Sequence, residues 1–171
     1  MLIRKLELKD AELMLEWMHS EDVVAMLAQN FEDKTIEDCR KFIMNANKDE
    51  DSDIHRAICN AQGEYLGTVS LKHIDRRNKN AEYAISMRSM AIGTGASTYG
   101  TIEILKYAFD IIKLEKVYLN VTTENVRAKK FYQKIGFQYE GTAKKHILIN
   151  GKLCDLEWYA FYREMECGLC K

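Results

Sequence analysis

Proline is absent from the 171 residues, an unusual feature that carries no functional reading. Other shortages exclude more. No apolar run approaches the roughly 20 residues that a membrane span needs, and Met1 to Lys9 alternates charge with apolar side chains instead of forming a signal peptide. The expected location is the cytoplasm, with no membrane partner. Neither charge is in surplus, since 25 Lys and Arg stand against 26 Asp and Glu. Nucleic-acid binding therefore starts without electrostatic support and is not expected. The five cysteines, Cys39, Cys59, Cys154, Cys167 and Cys170, form no even framework and are expected to be reduced. Cys167 and Cys170 make a lone CxxC near the end, without a second pair or a neighbouring His cluster. It is read as tail, and no metal is expected.

What is present fits one domain, 1–171, long enough to bury a continuous core. Leu2 to Leu8 reads as an opening strand, and Asp10 as the N-cap of a helix carrying Leu13, Leu15, Trp17 and Met18. A second short helix is expected from Ser20 through Leu27. A third starts at the cap-like Thr35-Ile36-Glu37-Asp38, and the polar stretch from Asn45 to Asp53 follows as a loop. Ile54 to Cys59, Tyr65 to His73 and Ala81 to Arg88 read as an antiparallel meander. The pattern then changes to helix (through Ile112), strand (Lys116 to Val121) and helix (Asn125 to Lys134), which implies a parallel crossover between the Ala81 and Lys116 strands. Phe137 to Ile149 and Lys152 to Tyr162 flank Asn150-Gly151, a hairpin signal. The expected class is α+β in α/β/α layers, around a mixed, mostly antiparallel sheet of seven strands with a central parallel crossover.

The glycines are few but placed. Ile92-Gly93-Thr94-Gly95-Ala96-Ser97 joins a strand to a helix, so free N–H groups at the positive end of the helix could meet a phosphate. No Gly-Lys-Ser/Thr follows and no third glycine completes a dinucleotide fingerprint. The stretch Glu124 to Phe137, ENVRAKKFYQKIGF, raises a second question. As a plain amphipathic helix it would bury Val126, Phe131 and Ile135, leaving Asn125, Ala128 and Tyr132 without a reason.

Together, AEYAI (Ala81 to Ile85), IGTGAST, YAFDIIKLEKVYLNV and ENVRAKKFYQKIGFQYEG resemble the GNAT superfamily of acetyl-CoA-dependent N-acetyltransferases. The likeness is to the subgroup holding Rim-type protein, polyamine and nucleotide-amino-sugar acetyltransferases. Its most specific part is Asn125-x-x-Ala128-x-x-x-Tyr132-x-x-x-Gly136-Phe137. The resemblance implies that the co-substrate is acetyl-CoA. Gly93, Thr94, Gly95, Ala96 and Ser97, beside Ile92, would cradle its pyrophosphate, and Ile85, Ser86 and Met87 would pair with the pantetheine arm as a strand does. Asn125 would contact that arm, Ala128 would keep the helix surface low, and Tyr132 would protonate the leaving sulfur while Phe131 packs inward. Segments 1–50, 81–137 and 138–163 become acceptor side, acetyl-CoA core and C-terminal hairpin. Where the superfamily has Gln or Arg before the first glycine this chain has Met90, so one phosphate contact is lost or moves to Arg88.

Such chemistry needs an amine freed of its proton, an oxyanion site and a proton for the thiolate. Glu82 is the expected base, on a face with Ala84, Ser86 and Arg88; otherwise it pairs with Lys72 or Arg56 across strands. His73 is a second candidate. A covalent route would need Ser or Cys beside His, such as Cys59 or Cys154 with His55, His73 or His146. Glu16, Trp17 and the run Trp158-Tyr159-Phe161-Tyr162 could shape the acceptor pocket. A nucleotide-linked amino sugar is the favoured acceptor, read with Arg76-Arg77 beside Trp158-Tyr159. A polyamine would use the Glu21-Asp22, Glu32-Asp33 and Glu37-Asp38 pairs, and a protein N-terminus is the third option. A non-catalytic acyl-CoA sensor is the alternative, and pairing of C-terminal strands would give a homodimer.

Overall fold

Alternating apolar residues build one seven-stranded sheet. The computed structural model of the protein describes residues 1–24, 31, 33–48, 51–149 and 151–164. Its strands are β1 (Leu2–Arg4), β2 (Ile54–Cys59), β3 (Tyr65–Asp75), β4 (Asn80–Met87), β5 (Lys116–Thr122), β6 (Gln138–Ile149) and β7 (Lys152–Tyr162). Their order is β1-β2-β3-β4-β5-β7-β6. Among the described strands only β4 and β5 run parallel, so the expected mixed sheet with a central crossover is present. Insertion of β7 between β5 and β6 was not legible in the sequence. The helices are α1 (Ala11–Met18), α2 (Glu21–Val24), α3 (Ile36–Ala46), α4 (Ala96–Lys106), which continues as a π-helical turn to Ile111, and α5 (Val126–Ile135). Among the described residues no helix is long and apolar enough to cross a membrane. The expected end of the second helix and the CxxC cysteines lie outside the described residues.

Two expectations near the start are corrected. The opening strand ends at Arg4 instead of Leu8, because the Asp10 carboxylate turns the chain back. It is 1% exposed and accepts two Arg4 N–H groups at 2.7 Å and the Glu7 N–H at 2.8 Å. Asp10 therefore does not cap α1 with its side chain. At α3 the reading holds: Thr35 Oγ1 accepts the Asp38 N–H, and the Asp38 carboxylate accepts the Thr35 N–H at 3.0 Å.

The two sheet faces bury separate cores. One, with Ile58, Leu71, Tyr83, Leu119 and Phe161, lies under α4 and α5, while Ala57, Cys59 and Tyr65 pack against Met14 and Trp17 of α1 and Ile43 of α3. Burying each large aliphatic side chain contributes about 1.5–3 kcal/mol. Helix α4 sits so close that a Cβ on Gly100 would collide with the Ile58 side chain.

The feature that positions the site is a gap. The β4–β5 register holds for Asn80↔Lys116, Ala81↔Val117 and Glu82↔Tyr118 only. Beyond it β4 pairs with β3 alone and β5 with β7 alone, so the sheet splays open from Tyr83 onward.

Candidate active site

The glycine turn stands at the end of the splayed stretch of β4. Gly93 and Gly95 take φ of 82° and 87°, a left-handed conformation natural to glycine. A Cβ on Gly93 would meet nothing within 4 Å, so conformation and not crowding requires that glycine. Thr94 Oγ1 donates to the Ala91 carbonyl at 2.7 Å, and Ala96 is fully buried. The turn is thereby fixed, and the first N–H groups of α4 lie at the positive helix end, without partners inside the helix. An anion fits there. Met90 is 60% exposed.

Arg88 is corrected: it does not face this turn. Its guanidinium is buried and fully engaged, meeting Glu16 at 3.1 and 3.0 Å, Glu64 at 3.0 Å and the Tyr65 carbonyl at 3.2 Å. Glu16 thus ties α1 to the sheet instead of shaping a pocket.

On the other flank, Asn125 caps α5, its side-chain oxygen accepting the Ala128 N–H at 3.1 Å. Lys129 fastens the helix to β7 through Glu157 at 3.0 Å, and Tyr159 donates to the same carboxylate at 2.7 Å. Ala128, Phe131 and Tyr132 all pack on the core. The half-buried Tyr132 ring meets Tyr83 of β4 edge-on at 6.0 Å. Burial pushes its phenol up to about 12, which keeps it protonated, and its hydroxyl makes no hydrogen bond among the described residues.

Opposite this layer lies a cleft of about 400 Å³. Its floor is the polar face of β2, β3 and β4, with His55, Thr68, Ser70, Lys72, Ala84 and Ser86; its far wall carries Trp17, Phe31 and Phe42 with Lys34 and Asp38. Ile85 also borders it, so the cleft reaches the splay. Trp17 is 4% exposed and donates to the Tyr65 hydroxyl at 3.1 Å, core and lining at once. His55 is buried, and its Nδ1 stands 2.7 Å from Ser70 Oγ. Burial lowers its pKa despite the opposing pull of Asp53. Ser70 was not singled out by the sequence and His55 only as a partner for cysteine in the covalent route; a register shift at Ile58/Cys59, which the turn does not announce, sets the two opposite each other.

Glu82 lies at the root of the splay but pairs with Lys72 at 2.8 Å, and its other oxygen is 3.8 Å from His73 Nε2. The cross-strand pairing, with Lys72 and not Arg56, is what the structure contains. The cysteine–histidine constellation is not assembled among the described residues: Cys59 is fully buried, Cys154 Sγ donates to the Lys152 carbonyl, and His146 is exposed. The aromatic run divides by alternation. Tyr159 and Phe161 are core, while Trp158 stacks on Tyr118 at 5.9 Å on the cleft face. Arg76 reaches Asp51 at 3.5 Å, on the β2 side and away from Trp158.

An extended ligand entering the splay from the glycine turn would meet whatever is seated in the cleft, and that makes this the architecture of a group-transfer enzyme. The chain belongs to the acetyltransferase (GNAT) domain family, whose model matches residues 1–138. It is 32% identical to a spermidine N(1)-acetyltransferase of Escherichia coli over 102 residues, 60% of this chain and 55% of that one. It thus spans about half the length of the spermidine enzymes it matches. An L-amino acid N-acetyltransferase of Escherichia coli is 28% identical over 109 residues, covering 63% of this chain and 67% of that enzyme. The fold is shared with the crystal structure of spermidine N-acetyltransferase from Vibrio cholerae in complex with CoA and spermine: TM-score 0.85 at 23% identity, with 95% of each chain covered.

Proposed function

We propose that this chain is an acetyl-CoA-dependent N-acetyltransferase that moves the acetyl group by direct attack of a primary amine. The observation that carries the reading is the splay between β4 and β5, open to the glycine turn at one end and to the cleft along its length. Acetyl-CoA, as co-substrate, supplies an activated thioester. Gly93, Thr94, Gly95, Ala96 and Ser97 hold its phosphates, and the unpaired edge of β4 at Ile85, Ser86 and Met87 binds its arm. A β4 N–H is suited to stabilise the oxyanion without any titratable side chain. Tyr132 stands as the proton donor to sulfur, protonated and with its hydroxyl uncommitted. Asn125 and Ala128 serve by fixing the start of α5 beside the splay. Glu82 is better suited to positioning than to proton acceptance, because the Lys72 ammonium already holds one of its oxygens.

Three aromatic rings line the cleft, where Lys34 and Lys72 balance the carboxylates of Asp38 and Asp53; the rings are what favours a small cationic amine of aliphatic, polyamine-like chemistry. The names of the relatives, spermidine and L-amino acid acetyltransferases, likewise specify amine acceptors. A nucleotide-linked amino sugar is the second reading, supported by the Tyr118–Trp158 stack on the same face. Calorimetric titration with acetyl-CoA, followed by thiol release against polyamines, L-amino acids, nucleotide-linked amino sugars and peptide N-termini, tests both. Turnover strongest on polyamines is expected. Turnover on amino sugars alone would replace the first reading with the second. Acetyl-CoA binding without release on any amine would make the chain a sensor and sink the enzymatic reading.

A further inference from the structure

We propose that Ser70 and His55 form a relay that removes the proton of the acceptor amine. The relay rests on the acetyltransferase reading above. Three residues make one transverse row of the sheet, with Ala84 of β4 opposite Ser70 of β3 and Ser70 opposite His55 of β2. Ala84 belongs to the part of β4 that β5 has left. The row therefore starts at the splay and leads away from it across the cleft floor.

The hydrogen bond along the row is short, 2.7 Å between Ser70 Oγ and His55 Nδ1. The Asp53 carboxylate stands 4.0 Å from Nε2, beyond hydrogen-bond reach but of a charge that suits a proton there; the relay uses that tautomer, in which Nδ1 accepts from the Ser70 hydroxyl. A second hollow of about 240 Å³, lined by Phe42, Ser52, Asp53 and His55 among others, borders the ring behind the cleft. His55 is only 8% exposed and yet borders both cavities, as do Phe42 and the 39%-exposed Asp53 side chain. A histidine serving packing alone needs neither the row nor the second opening.

The other proton acceptors near the cleft and the splay are committed elsewhere, Asp53 among them, which accepts the His73 N–H at 2.8 Å. Glu82 is held by Lys72, the 69%-exposed His73 side chain faces Glu82, and Asp38 accepts from the N–H and hydroxyl of Thr35. The groups bearing on His55 are Asp53, Lys72 from β3 and Arg56 on its own strand. The Phe42 ring of α3 packs on it at 4.8 Å, and α1 presents only Met14, Trp17 and Met18 to the cleft. Burial and the two cations outweigh Asp53, so the ring is neutral near pH 7 and able to accept. A weak base suffices, because the nitrogen becomes strongly acidic once bonded to the acetyl carbon. The acceptor attacks as the neutral amine, its ammonium proton having first passed to water; in the step, the nitrogen–carbon bond forms and the carbon–sulfur bond breaks. The nitrogen's proton passes to Ser70 Oγ as Ser70's own proton passes to His55 Nδ1, and Tyr132 protonates the thiolate. His55 then loses a proton to water beside Asp53, and water restores Tyr132.

The test is the pH profile of kcat/KM, with the best amine of the panel above, for wild type, His55→Gln, His55→Ala, Ser70→Ala and Ser70→Thr, each also melted and titrated with CoA. His55→Gln and Ser70→Ala are expected to lose on the order of 10²-fold or more, with CoA affinity unchanged and melting lowered by no more than the loss of one buried hydrogen bond. Ser70→Thr, which keeps a hydroxyl, should recover most of the rate, and added imidazole should partly restore His55→Ala. The acid limb of the wild type should lie below the ordinary histidine value of 6.5 and vanish in His55→Gln. An unchanged acid limb in His55→Gln, or full activity in Ser70→Ala, overturns the relay and leaves the acetyltransferase standing. So does an acetyl adduct on Ser70 after exposure to acetyl-CoA alone. A wild type that turns over no amine overturns both.

Discussion

Tyr132 and Arg88 show how differently two residues near one strand end can be used. Tyr132 has its phenol pushed up to about 12 and no hydrogen bond of its own among the described residues. Tyr132→Phe should therefore leave folding and CoA affinity intact while lowering turnover by on the order of 10²-fold, as single-turnover thiol release would show. An unchanged rate would remove Tyr132 from the chemistry. Arg88 is the opposite case, committed to Glu16, Glu64 and the Tyr65 carbonyl. Arg88→Met should cost about 1–3 kcal/mol in denaturant unfolding with little change in phosphate-dependent CoA affinity. A selective loss of that affinity would restore Arg88 to the cofactor site. The spacing from Asn125 to Tyr132 singled out residues that the structure does set beside the splay, Asn125 as the cap of α5 and Tyr132 against Tyr83 of β4. His55 and Ser70 were not legible as a pair, because their value comes from lying opposite each other across strands, a relation that sequence gives only after the register is known.

Among the elements, α4 and α5 owe their starts to different devices, and both were legible. At α4 a left-handed Gly95 ends the turn. Gly95→Ala should cost about 1–2 kcal/mol of backbone strain and weaken CoA binding in the same calorimetric titration. At α5 the cap is a side chain, so Asn125→Ala should lose about 0.5–2 kcal/mol while Asn125→Asp keeps most of it; thermal melts of the pair would distinguish capping from a direct contact with a ligand. Strands β2 and β7 match their expected limits because alternation is strong and turns bound them. Strand β1 falls short because a buried Arg4–Asp10 pair, remote in kind from any strand signal, redirects the chain. The place of β7 between β5 and β6 was hidden for a related reason: pairing partners are chosen by packing, which no local pattern records.

The molecule as a whole is held on its C-terminal side by carboxylates with displaced titrations. Burial alone would raise Glu140 and Glu157, but hydrogen bonds from Lys116 and Tyr162 to the first, and from Tyr159 and Lys129 to the second, hold both below their ordinary value of 4.5. The folded state thus favours their charged forms. The stability they add is complete above about pH 4.5 and is lost as pH falls through the lower folded values. Melting temperature should ease down below about pH 6.5, where the unfolded chain protonates His55 and the buried ring resists, and drop further below about pH 5 as the two carboxylates are protonated. Lys129→Met should shrink that second drop; a variant with an undiminished acid slope would place the linkage elsewhere. The three-residue seam between β4 and β5 has a different consequence. Proteins usually hide or blunt the rim of a sheet because unpaired backbone recruits other chains, yet here a rim runs through the middle, behind helices that admit only a thin, extended guest. A ligand lying along it would act as an eighth strand, joining by backbone two half-sheets that otherwise meet through the core under α4 and α5. Thermal resistance should then climb with ligand concentration, and the empty protein should be the form that self-associates on storage.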